Sequence, residues 1–344
     1  MKVIVTGHQG YIGSVMTRVL EDAGHEVVGL DSGLYEGCDF GQDLHTIPAV
    51  RKDIRDVQAA DLRGFDAVIH LAALSNDPLG CLDESTTYDI NHLGSVHLAR
   101  MAKAAGVPRF LFASSCSLYG KAGDEMLDET ADFNPVTAYG ASKVYVERDV
   151  CALADDSFSP VFLRNATAYG ASPRLRADIV VNNFVGVAVT TGHIQIQSDG
   201  TPWRPLVHIR DMSRAFLAVL EAPREAVHNQ AFNVGSSDEN YQIRDVADIV
   251  REVVPGCTVR YMEGGGPDPR CYRVNCDKLT RHVPGFRTEW TVRKGAEEMY
   301  AQMMRNHMTA EMFNGYVRLK RIQSLLGSGR IDPSLRWVAT PVAG

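Results

Sequence analysis

The chain has no CxxC pair, no zinc-ligand spacing among its histidines and cysteines, and no apolar run of about 18 residues of the kind that spans a membrane. Its seven cysteines are an odd number scattered singly, which suits reduced thiols in a cytosol rather than a disulfide framework. Positive charge is also short. A formal net charge of -7 and a pI near 5.9 argue against a nucleic-acid or anionic-membrane partner, while leaving room for a local basic patch that holds a phosphorylated small molecule. No internal repeat and no low-complexity tract is present. The opening MKVIVTG runs directly into an apolar strand without the regions of a signal peptide, so the expected compartment is the cytoplasm. What remains is ordinary globular composition, 45% hydrophobic and 22% charged over 344 residues, enough for one large domain or two interleaved ones.

Short apolar runs alternate with helical patterns through the first half. Val3 to Val5, Val27 to Leu30, Ala67 to Leu71, Phe110 to Ala113 and Val161 to Leu163 read as buried parallel strands, and the alternation predicts an α/β fold with a doubly wound parallel sheet. After about residue 170 the rhythm loosens, and the cluster Gly264 to Pro269 interrupts it. His208 to Leu220 and Phe232 to Val234 look like a helix and a strand returning to the sheet. The expected division is therefore 1–170 plus about 205–235 for a Rossmann domain, and about 171–204 plus 236–344 for a smaller, interleaved lobe.

The first strand runs into TGHQGYIG, with Gly7, Gly10 and Gly13 spaced three and three apart. Glycine there permits a tight turn, close approach of backbone to a pyrophosphate, and close packing of a helix whose N-terminus faces the anion. A bare strand-to-helix turn is the plainer reading of such a triplet. Position favours the functional one, because Asp31 follows at the end of the second strand, near the expected offset for a ribose-binding acid. Asp31 would accept from an adenosine 2'-hydroxyl and repel a 2'-phosphate, and no arginine adjoins it in sequence, so NAD is favoured over NADP.

Tyr139 and Lys143, in YGASK, are four apart and so share a helix face. A phenol with a reference pKa of about 10 becomes a base near neutrality only when a cation favours its phenolate, and Lys143 is such a neighbour. YxxxK alone is a weak signal that many helices carry by chance.

Taken together, the chain resembles the extended short-chain dehydrogenase/reductases, and within them the nucleotide-sugar epimerases and dehydratases. The resemblance covers nearly the whole chain and rests on TGHQGYIG, Asp31, the DIRD run at Asp53 to Asp56, HLAA at His70 to Ala73, Asn91, SSCSLYG at Ser114 to Gly120, YGASK, and DGTPWRPLVHIRD at Asp199 to Asp211. It implies a catalytic triad of Ser115, Tyr139 and Lys143. It also implies a cofactor site of Gly7, Gly10, Tyr11, Ile12, Gly13, Asp31, Asp53, Ile54, Leu71, Ala72, Ala73, Asn91 and Ser114, completed by Tyr139 and Lys143, with Asp53 and Ile54 at the adenine.

In the smaller lobe the resemblance implies a nucleotide-sugar site. Arg204 matches the diphosphate-binding arginine and Asn183 a phosphate-contacting asparagine. Thr167 stands where many relatives have asparagine, and the second arginine expected near Gly265 is missing, leaving Arg270 or Arg273 as replacements or as plain surface charges. Ser75, Asn76, Asp77 and Ser117 are expected to face the sugar, with helix capping the alternative for Ser75 and Asp77. His208 and Asp211 are expected to organise the lobe junction. Cys116 and Ser117 occupy the two positions that carry acids in 4,6-dehydratases, which counts against dehydration; Cys116 is either an acid/base thiol or a small packing residue. The implied activity is NAD-dependent epimerisation of a nucleoside-diphosphate sugar. The alternatives are reduction or dehydration of a keto nucleotide sugar, or an NAD-sensing regulator without catalysis. A homodimer is expected through the Ser85 to Ala105 helix and the helix after Tyr139. The C-terminal stretch from Met308 reads as a helix, a glycine-terminated turn and a tail, with no functional assignment.

Overall fold

The computed structural model describes residues 1–41, 45–75, 83–262 and 270–338. Seven parallel strands form one sheet: β1 (Lys2–Thr6), β2 (Glu26–Asp31), β3 (Ala49–Arg51), β4 (Ala67–His70), β5 (Arg109–Ser115), β6 (Ser159–Asn165) and β7 (Ala231–Val234), in the spatial order β7-β6-β5-β4-β1-β2-β3. Alternation of side chains across the pleat explains the continuous apolar runs. Val3 and Val5 pack on one face with Met16, Leu20 and Phe216, while Ile4 joins Val68, Leu98, Phe110 and Phe112 on the other. Because both faces are covered by helices, neither can be polar. The edge strand β3 escaped the sequence reading: it is three residues long and exposed, so no apolar run marks it.

The helices that matter for the site are α1 (Gly13–Asp22), α2 (Ser95–Ala104), α3 (Ala138–Cys151), α4 (Val180–Thr191), α5 (Ile209–Glu221), α6 (Ile243–Val253), α7 (Val292–Arg305) and α8 (Arg318–Gly327). A single π-helical turn, Asp89–Gly94, joins Glu84–Tyr88 to α2. Helices α4, α6 and α7 enclose a second apolar cluster with Ile194, Ile196 and Leu206, separate from the clusters on the sheet. The strand Trp203–His208 links these regions, pairing with Thr167–Tyr169 on one side and Asn240–Gln242 on the other.

At the join, the His208 ring stacks on Trp290 at 3.9 Å and meets the Glu298 carboxylate at 3.0 Å. The buried Asp211 accepts hydrogen bonds from the backbone N–H groups of Glu289 and Trp290, each at 2.9 Å. His208 at the end of its strand thus reaches α7 through Glu298, and Asp211 on α5 holds the residues that lead into α7.

The glycine turn is shaped by contact rather than by flexibility alone. Gly7 has a φ of 76°, and a Cβ there would lie 2.8 Å from the Ala72 nitrogen; at Gly13 it would lie 2.2 Å from the Gly7 carbonyl oxygen. Neither neighbour is a side chain that can swing away. Gly13→Ala is therefore expected to lower stability by ~1–3 kcal/mol through forced backbone movement, with a reduced thermal midpoint in denaturation scans.

Candidate active site

The carboxyl ends of β1, β2 and β4 open onto a cavity whose walls include Gly7, Gly10, Tyr11, Ile12 and Gly13 from the first turn, and Asp31 from the second strand. Asp53, Ile54, Leu71, Ala72, Ala73 and Ser75 line it further along. Asp31 is held in place because Gln9 N–H donates to one carboxylate oxygen at 3.0 Å and Gly33 N–H to the other at 2.8 Å. Across the β2–β3 register Arg51 stands beside Asp31, a neighbour that adjacency in sequence did not reveal. Its guanidinium is turned to Glu36 at 3.1 Å and to the Trp337 ring. Burial raises the Asp53 pKa, but hydrogen bonds and charge from Arg55 outweigh it and hold the carboxyl below its usual range.

These residues fit a dinucleotide: glycines at 7, 10 and 13 leave a cradle that side chains would fill, a helix N-terminus faces it, and an acid stands at the second strand. Two residues expected at the cofactor, Asn91 and Ser114, make hydrogen bonds within the protein. The Asn91 side chain accepts from Leu74 N–H at 2.8 Å and donates to the Leu74 carbonyl at 3.0 Å, bracing the cavity wall from behind. Ser114 is buried and its hydroxyl donates to Glu147 at 2.5 Å.

The helix carrying Tyr139 and Lys143 starts at Thr137, whose hydroxyl accepts from Gly140 N–H at 3.1 Å. Lys143 is 3% exposed, and its ammonium donates to the Ala113 carbonyl at 2.7 Å, 4.5 Å from the Phe112 ring centroid and 5.5 Å from that of Tyr139. Burial pushes its pKa down to about 7, against the raising effect of Glu147. Ser115, two residues past Ala113, accepts from Ser117 N–H at 3.2 Å. The Ser117 hydroxyl is buried with no hydrogen-bond partner among the described residues, as is the Asn165 side-chain oxygen on the neighbouring strand.

Cys116 does not join this group. It is 1% exposed, its thiol donates to the Arg164 carbonyl at 3.1 Å, and burial pushes its pKa up, so it packs with Leu118, Tyr272 and Cys276.

Of the expected substrate contacts, Ser75 receives a hydrogen bond from Arg176 at 3.1 Å, and Asn76 lies outside the described residues. Thr167 sits in a strand beside Leu206, and Asn183 donates to the Ala177 carbonyl at 3.0 Å. Arg204 donates to the carbonyls of Trp203 and Arg270, which brings 204 and 270 together through the main chain. None of Thr167, Asn183, Arg204 and Arg270 is among the described walls of the dinucleotide cavity.

Sequence reasoning missed three groups. Arg176 lines the cavity, pairs with Asp178 through two contacts at 3.0 and 3.1 Å, and feels the charge of Tyr139. Asn182, one residue before the expected Asn183, is fully buried and accepts from Gly170 N–H at 3.0 Å. Glu147 pairs with Arg164 at 2.7 Å beneath Lys143, and both partners are buried. Glu147 stands four residues after Lys143, the same helical spacing that singled out Tyr139, and that spacing was the available signal.

Fold and site together define an NAD-dependent enzyme of the nucleotide-sugar class. Residues 3–235 match the model of the NAD dependent epimerase/dehydratase family, and the chain belongs to it. Its relatives include the UDP-glucose 4-epimerase of Neisseria meningitidis serogroup C, 30% identical over 76% of this chain and 84% of that one. The UDP-glucose 4-epimerase of Corynebacterium glutamicum is 29% identical over 74% and 80%. Among solved structures, MoeE5 in complex with UDP-glucuronic acid and NAD is 25% identical with a TM-score of 0.78, covering 89% of this chain and 99% of that one. DesIV, a dTDP-glucose 4,6-dehydratase from Streptomyces venezuelae with NAD and TYD bound, has the same TM-score at 24% identity over 89% and 98%, a likeness of fold. Among the described residues no helix is long and apolar enough to cross a membrane, and no cluster of side chains could hold a metal ion.

The buried Glu147–Arg164 pair yields a direct test. Glu147→Gln leaves the Arg164 charge uncompensated, with an expected cost of ~3–5 kcal/mol, and removes the anion that raises Lys143. A lower thermal midpoint in the purified variant is the expected result.

Proposed function

We propose that the protein epimerises a nucleoside-diphosphate sugar, oxidising it to a keto sugar and reducing it again without net use of NAD. The observation that carries this reading is the buried Lys143 ammonium 5.5 Å from the Tyr139 ring centroid, in a chain whose glycine turn and Asp31 line a cavity fitted to a dinucleotide. NAD, when bound, supplies the hydride acceptor and returns the hydride. Lys143 favours the phenolate of Tyr139, which takes the proton of the sugar hydroxyl and gives it back on reduction. Ser115 holds the reacting oxygen by hydrogen bonding, and Ser117 and Asn165 offer further polar contacts. Exchange of sugar faces between the two hydride steps inverts the oxidised carbon. Asn183, Arg204 and Arg270 of the lobe about 171–204 plus 236–344 are assigned to the nucleotide diphosphate, and residues 1–170 plus about 205–235 to NAD, with Arg176, Arg318 and Leu335 of the lobe added to the NAD site because they line the same cavity. The similarity to two UDP-glucose 4-epimerases supports the reading at family level. Cys116 has no place in it, since its thiol faces the core.

The second reading, a reductase or dehydratase, draws support from the dehydratase fold neighbour. It is disfavoured because no acidic residue follows Ser115 at the next two positions. The NAD-sensing regulator is disfavoured by an intact Ser115, Tyr139 and Lys143 set.

A cytoplasmic homodimer completes the proposal. Leu93 is 58% exposed and Tyr145 37% exposed on the Asp89–Gly94 turn and α3, apolar surface on the two helical segments expected to pair between subunits. Leu93→Glu is expected to shift the protein to monomer in analytical ultracentrifugation.

Tyr139→Phe removes the proton carrier and leaves the cavity walls unchanged. Turnover of UDP-sugars should fall by at least about 100-fold, while mass spectrometry of the denatured protein still finds NAD. Retained full turnover would overturn the assignment.

A further inference from the structure

The C-terminal segment folds onto the dinucleotide cavity, although it lies beyond the stretch 3–235 that matches the family model. Ile322 and Leu325 of α8, with Ile331 and Leu335 after it, pack against Leu34 and Leu74, two residues of the cavity wall. The Trp337 indole donates to the Ser32 carbonyl at 2.6 Å, and Arg321 donates to the carbonyls of Leu34 and Glu36 at 3.2 and 2.8 Å. The segment is thus fastened to the loop that follows Asp31.

Arg318, the first residue of α8, lines the same cavity and is 2% exposed. Its guanidinium lies over the Tyr35 ring, 4.2 Å from the centroid, and Nη2 donates to the Arg174 carbonyl at 2.9 Å. Nη1 is buried with no hydrogen-bond partner among the described residues. The nearby carboxylates are engaged elsewhere, Asp39 with Arg174 and Asp178 with Arg176. A buried guanidinium with an unused N–H is well matched to an anion, and the only anionic part of a bound NAD is its pyrophosphate. The other cations in the described wall are already held, Arg176 by Asp178 and Ser75 and Lys52 by Asp61.

We propose that Arg318 donates from Nη1 to a phosphate of the bound dinucleotide, so that the C-terminal segment both covers the cavity and supplies a charged ligand to it. The proposal rests on the assignment of the cavity to NAD and is independent of which sugar reaction follows.

Calorimetric titration of the full-length protein, freed of retained nucleotide, with NAD, ADP and adenosine tests it. Arg318→Met should weaken NAD and ADP by about 10- to 100-fold, the range for a charge-assisted hydrogen bond, and leave adenosine within about threefold. Equal loss for all three ligands, or loss for none, would overturn the proposal by reducing Arg318 to a structural residue. Where the methionine variant yields no folded protein, Arg318→Lys serves: selective weakening of ADP over adenosine supports the contact, and parallel or absent change contradicts it. No sugar nucleotide enters these titrations, so an incorrect epimerase reading would leave their outcome unchanged. A native protein that binds none of the three would instead reveal a wrong cofactor assignment and end the proposal with it.

Discussion

Burial of one ammonium group, that of Lys143, is the constraint on which the rest of the site depends. Removing such a charge from water is costly unless hydrogen bonds and opposite charge offset it. Here the Ala113 carbonyl takes one N–H, the Phe112 face lies below, and Glu147 contributes negative charge one turn further along α3. Glu147 must in turn be neutralised, which Arg164 does from β6, and Arg164 reaches on to the Tyr119 hydroxyl at 3.0 Å. Tyr119 donates to Asn233 at 2.8 Å on β7. A chain of polar contacts therefore runs from α3 through two strands of the sheet. Its members are mostly buried, so strand order and the placement of Lys143 are linked in one network.

The dinucleotide end is governed by shape more than by charge. Main chain approaches main chain where Gly7 meets Ala72, and no side chain could stand between them. Asp31 and Asn91 then fix the flanking turns, the first by accepting two backbone N–H groups and the second by clamping Leu74. Lys52 brings one cation from the first half of the chain, and two more enter from the second, Arg176 before α4 and Arg318 at the start of α8.

What was legible in the sequence follows from this division. The glycine triplet, Asp31 and the Tyr139–Lys143 pair are local patterns, each set by a turn or a helical period, and each stands where those patterns place it. The central strands were legible because both faces of the sheet are covered, which demands unbroken apolar runs; β3 was not, because an exposed edge demands nothing of its side chains. Arg176 and Arg318 carry no local mark that separates them from solvated surface arginines. Only the fold brings residues 35, 176 and 318 to one wall. Cys116 shows the converse, since a thiol beside Ser115 in sequence turns to the Arg164 carbonyl in the core once the Cys116–Tyr119 turn forms.

The central claim is that hydride leaves a sugar carbon and returns to it within one retained cofactor. It is tested most directly with UDP-glucose carrying deuterium at C4, incubated with the protein as purified and without added NADH. The epimerase reading predicts a C4-inverted product that keeps its deuterium, with no lasting absorbance at the reduced nicotinamide band. Loss of the label to solvent, or product formed only in proportion to added NADH, would contradict it.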